Sequence, residues 1–333
     1  MGRNNTKKKQ YSVDELIAKA EQLVDQCQPD LAVQFYEKAL LQQPNNTALL
    51  DVVGELLTEI NNPERALAAF QKSIELAPAE NPCKWFYAAQ LVPGEEAEKY
   101  TNEGIKHSLN ELQALAHPQS SEALVIKKQI CDAYCALGEL YMTDLCDLDD
   151  AEARCEGHFQ EAMKYDIGLP EPTQALANLR LTQQRKDEAV PLLLETVRRL
   201  NEACDENSLP PLEFRIFTGK LLIEVEEYEK ACDVLEGCMA EDDENAELWF
   251  LVGTCYRAMD ELDMALEFFE KCAEMLKKIK KQMLQEFPLQ DQLDSVEETI
   301  AALQAAIAAN PAPADDNDDD NDNDADGDVA MEE

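Results

Sequence analysis

Between Glu247 and Cys272 the chain reads ELWFLVGTCYRAMDELDMALEFFEKC, with large and small residues in a set order: Trp249, Gly253 and Tyr256, then Ala265 and Phe269. Shifted back by 34 residues, Gly253, Ala265, Phe269 and Cys272 fall on Gly219, Ala231, Leu235 and Cys238. The same shift carries Ala32, Tyr36 and Pro44 of DLAVQFYEKALLQQP onto Ala66, Phe70 and Pro78 of ERALAAFQKSIELAP. Two separate stretches sharing one helical-repeat period predict an array of like units, each too small to close a core without its neighbours.

The order of large and small residues resembles the tetratricopeptide repeat, a pair of antiparallel helices with a small residue where the helices touch and large ones filling the gaps beside it. In that frame units fall at 13–46 and 47–80, the second with Leu50, Gly54 and Leu57 on its first helix. Next comes a degenerate unit, in which a short helix opened by Trp85 must end before Pro93 and Gly94 and a second runs to about Ala116. Tyr134, Leu137, Gly138 and Tyr141 mark a fourth unit, whose second helix carries Phe159 and Ala162 after an inserted loop, TDLCDLDD. Leu176, Ala177, Ala189 and Leu193 mark a fifth, and the linker DENSLPP leads to units at 212–245 and 246–279. From Lys280 to Ala309 a helical segment interrupted at Pro288 places Leu289, Leu293, Val296, Ile300, Leu303 and Ile307 at helical spacing, as a capping helix would. The expected fold is an all-α tetratricopeptide-repeat superhelical solenoid of about seven helix pairs plus that cap, over residues 12–309. A flexible basic arm (1–11) precedes it, ending where Ser12 can cap the first helix, and an acidic tail (310–333), too polar and self-repelling to fold alone, follows it.

Charge narrows the partner class. The 333 residues hold 69 acids against 29 bases, a net charge of −40. The tail contributes 11 acids and no base, so 58 acids still face all 29 bases in the body. Such a surface repels nucleic-acid phosphate and anionic lipid and attracts basic polypeptides. With no apolar run of about 18 residues and no signal-like head, the chain is expected to be soluble and intracellular. The 11 cysteines contain no CxxC and are expected to be small buried residues in a reducing compartment. Met1, Gly2 and Thr6 meet the formal pattern for N-myristoylation, but one acyl chain would not hold so acidic a body on an anionic membrane.

Catalytic chemistry has no foothold. His107, His117 and His158 stand without motifs, and the 11 glycines are scattered singly and form no phosphate loop. The chain is therefore expected to be no enzyme, with no cofactor and no metal. What remains is a surface. The repeat frame directs certain positions of each first helix into the groove: Asp14, Ile17, Glu21 and Asp25 in the first unit, Asp51, Glu55 and Glu59 in the second, and Asp132, Cys135, Glu139 and Met142 in the fourth. The last two units contribute Glu213, Ile216, Lys220 and Ile223, then Glu247, Phe250, Thr254 and Arg257. The N-terminal half is acidic and the C-terminal half mixed. Tetratricopeptide co-chaperones that clamp a C-terminal carboxylate need Lys and Asn where this chain has Ile17, Glu21, Asp51 and Glu55, so a heat-shock co-chaperone role is disfavoured.

In combination, the basic arm, the repeat units, the cap, the acidic groove and the Asp-rich ending ADGDVAMEE resemble the fungal chaperones dedicated to large-subunit ribosomal protein uL4. The resemblance implies a monomer that captures newly made uL4, shields its long basic loop in the concave groove and escorts it through the cytoplasm into the nucleus to pre-60S particles. It also implies a nuclear import factor as a second partner, with no direct contact to nucleic acid or membrane. The alternative is a tetratricopeptide scaffold that binds a helical or basic peptide within a larger complex.

Overall fold

The computed structural model describes residues 11–165, 167–202, 209–283 and 287–309. The basic arm through residue 10 and the acidic tail from residue 310 lie outside the described residues. Among those described there are fifteen helices and no strand. The chain divides at Pro211 into two compact units, just after the stretch read as a linker.

The first unit holds five helix pairs: α1 (Val13–Asp25) with α2 (Pro29–Gln42), α3 (Thr47–Glu59) with α4 (Pro63–Leu76), α5 (Cys83–Gln90) with α6 (Gly94–Ala114), α7 (Ser121–Met142) with α8 (Ala151–Lys164), and α9 (Glu171–Thr182) with α10 (Lys186–Glu202). The second holds α11 (Leu212–Glu224) with α12 (Tyr228–Met239), α13 (Ala246–Ala258) with α14 (Leu262–Gln282), and then α15 (Gln290–Ala309). The seven pairs and a final helix are those expected from the repeat. Two boundaries differ. The start of the segment read as a cap instead prolongs α14 to Gln282, because nothing in LKKIKKQ breaks a helix, so the cap proper is α15 alone. The second helix of the degenerate pair ends at Ala114.

Local chemistry explains the pairs. Ser12 and Glu15 form a reciprocal capping box at the start of α1, while the Asn46 and Asn245 side chains accept from the first turns of α3 and α13. Cys27, Asn61, Gln184, Glu226 and Asp260 take positive φ in the turns that end α1, α3, α9, α11 and α13. After each, an amide reaches back five residues to a helix carbonyl: Gln28 to Leu23 at 2.9 Å, Asn62 to Leu57 at 2.8 Å, Arg185 to Arg180 at 2.8 Å, Glu227 to Leu222 at 2.9 Å and Glu261 to Tyr256 at 3.0 Å. This closure satisfies the orphan carbonyls and reverses the chain, and Pro29 and Pro63 then start α2 and α4 where no amide donor is needed.

The core sits where the pairs touch. A Cβ placed on Gly54 would lie 2.6 Å from the Phe70 ring, and one on Gly138 would collide with Phe159. Phe70, Phe159 and Phe269 are fully buried, each contributing about 2–3 kcal/mol of apolar burial. The inserted loop at 143–150 packs on two pairs: Leu145 is buried on the α7–α8 core, and the Asp144 carboxylate accepts from the Gly94 amide at the start of α6 at 3.0 Å. In the second unit α15 runs antiparallel to α14, tied by Lys280 to Gln290 at 2.6 Å and Lys277 to Glu297 at 2.7 Å. It buries Leu293, Val296 and Leu303 against Phe269, Cys272 and Leu276.

Candidate functional site

Along one face of α1, Glu21 and Asp25 follow each other by one turn, and on α3 Glu55 and Glu59 do the same. The structure brings the four carboxylates together at one cleft of about 280 Å³, floored by Val24, Tyr36, Val52 and Leu56. Among the described residues none of the four has a side-chain hydrogen-bond or ion-pair partner. Burial first, then the charges of Asp51 and Glu59, hold the Glu55 carboxyl above the ordinary range. Burial and Glu21 push the Tyr36 phenol up, and burial followed by Glu55, Cys83 and Glu59 does the same at Tyr87 on α5. The cleft is thus a cluster of like charges over an apolar floor.

Asp51 lies one turn before Glu55 and was expected on the groove wall. It is instead 5% exposed. The turn between α4 and α5 closes over it, and the Asn81 side chain donates to its Oδ2 at 2.8 Å. Its Oδ1 has no hydrogen-bond partner among the described residues. The nearby buried Lys84 does not pair with it, since Nζ is committed to Ser73 O at 3.2 Å, Ser73 Oγ at 3.3 Å and Ala77 O at 2.5 Å. Burial lowers the Lys84 pKa, against the opposing pull of Asp51 and Glu80.

The other expected positions separate into distinct surroundings. Asp14 is exposed in the first turn of α1, and Ile17 packs half-buried on the α1–α2 core. Asp132 pairs with Lys128 at 3.1 Å and lines a second cavity, about 510 Å³, with Cys83, Phe86, Tyr87, Val92 and Leu140 from α5 to α7. Desolvation raises the Glu139 carboxyl, whereas Met142 packs on the α7–α8 core and Cys135 is buried beside Cys131.

In the second unit Glu213 is exposed, but Ile216 is only 6% exposed and corrects the expectation of a groove position. The reason is that α11 packs against both α12 and α13, which covers two of its sides. Glu247 is paired with Lys220 at 2.7 Å, and Phe250 meets Phe269 edge-on at 5.7 Å. Both line a cleft of about 410 Å³ whose opposite wall is Leu289, Gln292 and Val296. The acidic character expected of the N-terminal positions is therefore concentrated between α1 and α3.

Sequence reasoning missed the floor residues Val24 and Val52, and Cys83 and Tyr87 of the second cavity. Val24 and Val52 sit beside the predicted acids on the same helices and were legible from spacing, but Cys83 and Tyr87 belong to the degenerate pair, where the repeat frame gives no position. His107 stacks on Trp85 with ring centres 5.6 Å apart, and His158 lies against Tyr134 and Tyr141 at 6.2 and 5.5 Å. Of the ten described cysteines, all free, seven are buried, while Cys27 and Cys146 are exposed. No helix among the described residues is long and apolar enough to cross a membrane.

Helix pairs with small–aromatic contacts at the repeat period make up a tetratricopeptide-repeat fold, and the tetratricopeptide-repeat family profile matches residues 49–80 and 246–275. More particularly, the chain is similar to a protein of Schizosaccharomyces pombe (strain 972) named probable assembly chaperone of rpl4, with 33% identity over 62% of each chain. A protein of the same name from Emericella nidulans (strain FGSC A4) is 25% identical over 75% of this chain and 66% of its own. The chain thus spans a little under two thirds of the length of these curated relatives. A solved structure of an assembly chaperone of RpL4, residues 1–338, superposes with a TM-score of 0.66 and 25% identity, over 75% of this chain and 98% of that one. The resemblance drawn from the sequence and the all-α repeat fold are both supported by these matches.

Proposed function

We propose that this protein is a dedicated chaperone of the large-subunit ribosomal protein L4 (uL4), holding a basic segment of the newly made client against the α1–α3 cleft. The carrying observation is the set of four unpaired carboxylates, Glu21, Asp25, Glu55 and Glu59, around an apolar floor. The relatives' names support the choice of client.

A cationic ribosomal protein binds RNA indiscriminately or aggregates before assembly, and an anionic cleft competes with both outcomes. Each exposed pair is worth only about 0.2–1 kcal/mol, so four contribute roughly 1–4 kcal/mol and apolar contact must add the rest. The cavity with Phe86, Tyr87, Val92 and Leu140 offers that contact within the same unit. In this reading the protein acts as a non-catalytic monomer in cytoplasm and nucleus, escorts its client to nuclear pre-60S assembly and meets an import factor on the way.

The test is a titration of purified chain with purified L4 over a salt series. Affinity should fall steeply as salt rises, and the combined change Glu21→Gln, Asp25→Asn, Glu55→Gln, Glu59→Gln should weaken binding by about 10- to 100-fold and flatten the salt dependence. Wild-type affinity in that variant, or salt-independent binding, refutes the proposal.

A further inference from the structure

The four carboxylates of the cleft are not equivalent, because Glu55 alone has a second, buried carboxylate behind it. Asp51 precedes it by one turn on α3, is nine-tenths buried, and keeps one oxygen without a partner while Asn81 occupies the other. The nearest cation, Lys84, is turned to the α4 carbonyls and the Ser73 hydroxyl. A buried carboxylate left in this state disfavours the empty site and favours any arrangement that brings positive charge close.

We propose that Asp51 and Glu55 form the anchor of the cleft, which seats one cationic side chain of an extended basic partner segment. Glu55 makes the contact. Asp51 is a positioning residue that acts through Glu55, since its free oxygen lies beneath the surface. The aliphatic stem of the ligand lies on Val24, Val52, Leu56 and Tyr36. This inference rests on the cleft binding basic segments, as proposed above, and adds which pair sets the affinity.

The groups that face Glu55 are Asp51 and Glu59 on its own helix, Glu21 and Asp25 on α1, Tyr36 on α2, and Cys83 and Tyr87 on α5, with Lys84 behind Asp51. The α4 helix contributes no titratable group to the lining. Burial, then the charges of Asp51 and Glu59, all push Glu55 the same way, so the empty anchor takes up a proton more readily than an ordinary glutamate, and a bound cation must expel it. Binding therefore strengthens as pH rises through the raised Glu55 pKa.

A fluorescein-labelled peptide of about six Arg-Gly repeats, followed by anisotropy between about pH 5 and 8 at about 50 mM salt, provides the assay. Asp51→Asn keeps the shape and an acceptor for Asn81. It should weaken binding at pH 7 by about three- to tenfold, move the pH inflection to lower pH, and leave the melting temperature equal or higher. A merely structural aspartate would lower the melting temperature and leave the inflection in place. Should Asp51→Asn fail to fold, Glu55→Gln decides: loss of both affinity and inflection supports the anchor, and their retention overturns it. If wild type and Asp51→Asn bind alike with the same inflection, the anchor is wrong and the cleft proposal stands. If the peptide does not bind wild type at all, both fall.

Discussion

Replacing Gly54 with alanine tests the packing that holds the cleft open. Gly54 is on α3 between Val52 and Glu55, so any movement of the helix there moves the site. An added Cβ would lie 2.6 Å from Cε1 and Cζ of Phe70 and 2.9 Å from Cε2, against about 3.5–4.0 Å for a comfortable carbon–carbon contact. The ring cannot simply swing away. It is fully buried and stacked on Tyr87, with ring centres 5.4 Å apart and planes at 15°. Relief of about 1 Å must come from separating α3 and α4 or tilting the ring into Tyr87, an overpacking cost of about 1–3 kcal/mol, offset by less than about 1 kcal/mol from alanine's better helix propensity. The net loss is about 1–2 kcal/mol, which lowers the melting temperature of a unit this size by roughly 2–8 °C. Calorimetry and guanidinium titration measure it, with the double variant Gly54→Ala, Phe70→Leu as the cycle partner: the smaller residue should recover part of the Gly54→Ala loss as a favourable coupling of about 0.5–2 kcal/mol. A Gly54→Ala protein as stable as wild type, or two effects that simply add, refutes the close-contact account.

Two further changes probe stability away from the cleft. Arg180 is nearly buried and donates to Glu156 at 2.7 Å, and the arginine holds the Glu156 carboxyl below the ordinary range. Glu156→Gln should cost about 1–3 kcal/mol near neutral pH. Because this folded-state pKa is depressed, the contribution is complete above the unfolded value of 4.5 and is lost as pH falls through the folded one, so chemical denaturation at successively lower pH should show wild type converging on the variant. Cys27 is exposed with φ of 54° in the turn after α1, and Cys27→Gly should raise stability by about 0.3–1 kcal/mol; a decrease on denaturant titration would show that the left-handed turn carries no strain.

The parts of this molecule that were legible in the sequence are those the repeat imposes through sterics. Gly54 and Phe70, or Gly138 and Phe159, stand at fixed offsets because two backbones can approach only at a residue without a side chain, and that constraint leaves a trace in composition. Turn closure left less trace: Cys27, Gln184, Glu226 and Asp260 hold the left-handed position without being glycine or asparagine, since the neighbouring helices enforce the conformation. Glu21, Asp25, Glu55 and Glu59, four positions that the frame directs into the groove, line one cleft. The frame could not foresee that Asn81 would close over Asp51, because Asn81 lies in the turn leading into the degenerate third pair, where the frame assigns no position. For Asp132 and Glu247 the frame named the position but not the partner: Lys128 lies one turn before Asp132, a spacing common to any exposed helix, and Lys220 reaches Glu247 from α11 to α13.

Net charge by itself does not identify a binding site in this protein. Acids outnumber bases 69 to 29, so an unpaired glutamate is the ordinary case. Location carries the information. Arginines on α8, α9 and α10 and at the turn between α9 and α10 are spent on glutamates, as with Arg154 and Glu98, Arg180 and Glu156, Arg185 and Glu188, and Arg198 and Glu195. No base is placed among the lining residues between α1 and α3, although a single lysine at Val24 or Val52 would relieve the repulsion. A face that was only solvated would spread its charges into water and leave each near its ordinary pKa. Here four carboxylates line one cleft with an apolar floor, and burial together with the charges of Asp51 and Glu59 holds the Glu55 carboxyl above its ordinary range. Like charges gathered in this way raise the free energy of the empty cleft, and the proposed seating of a cationic partner segment is what would offset that cost.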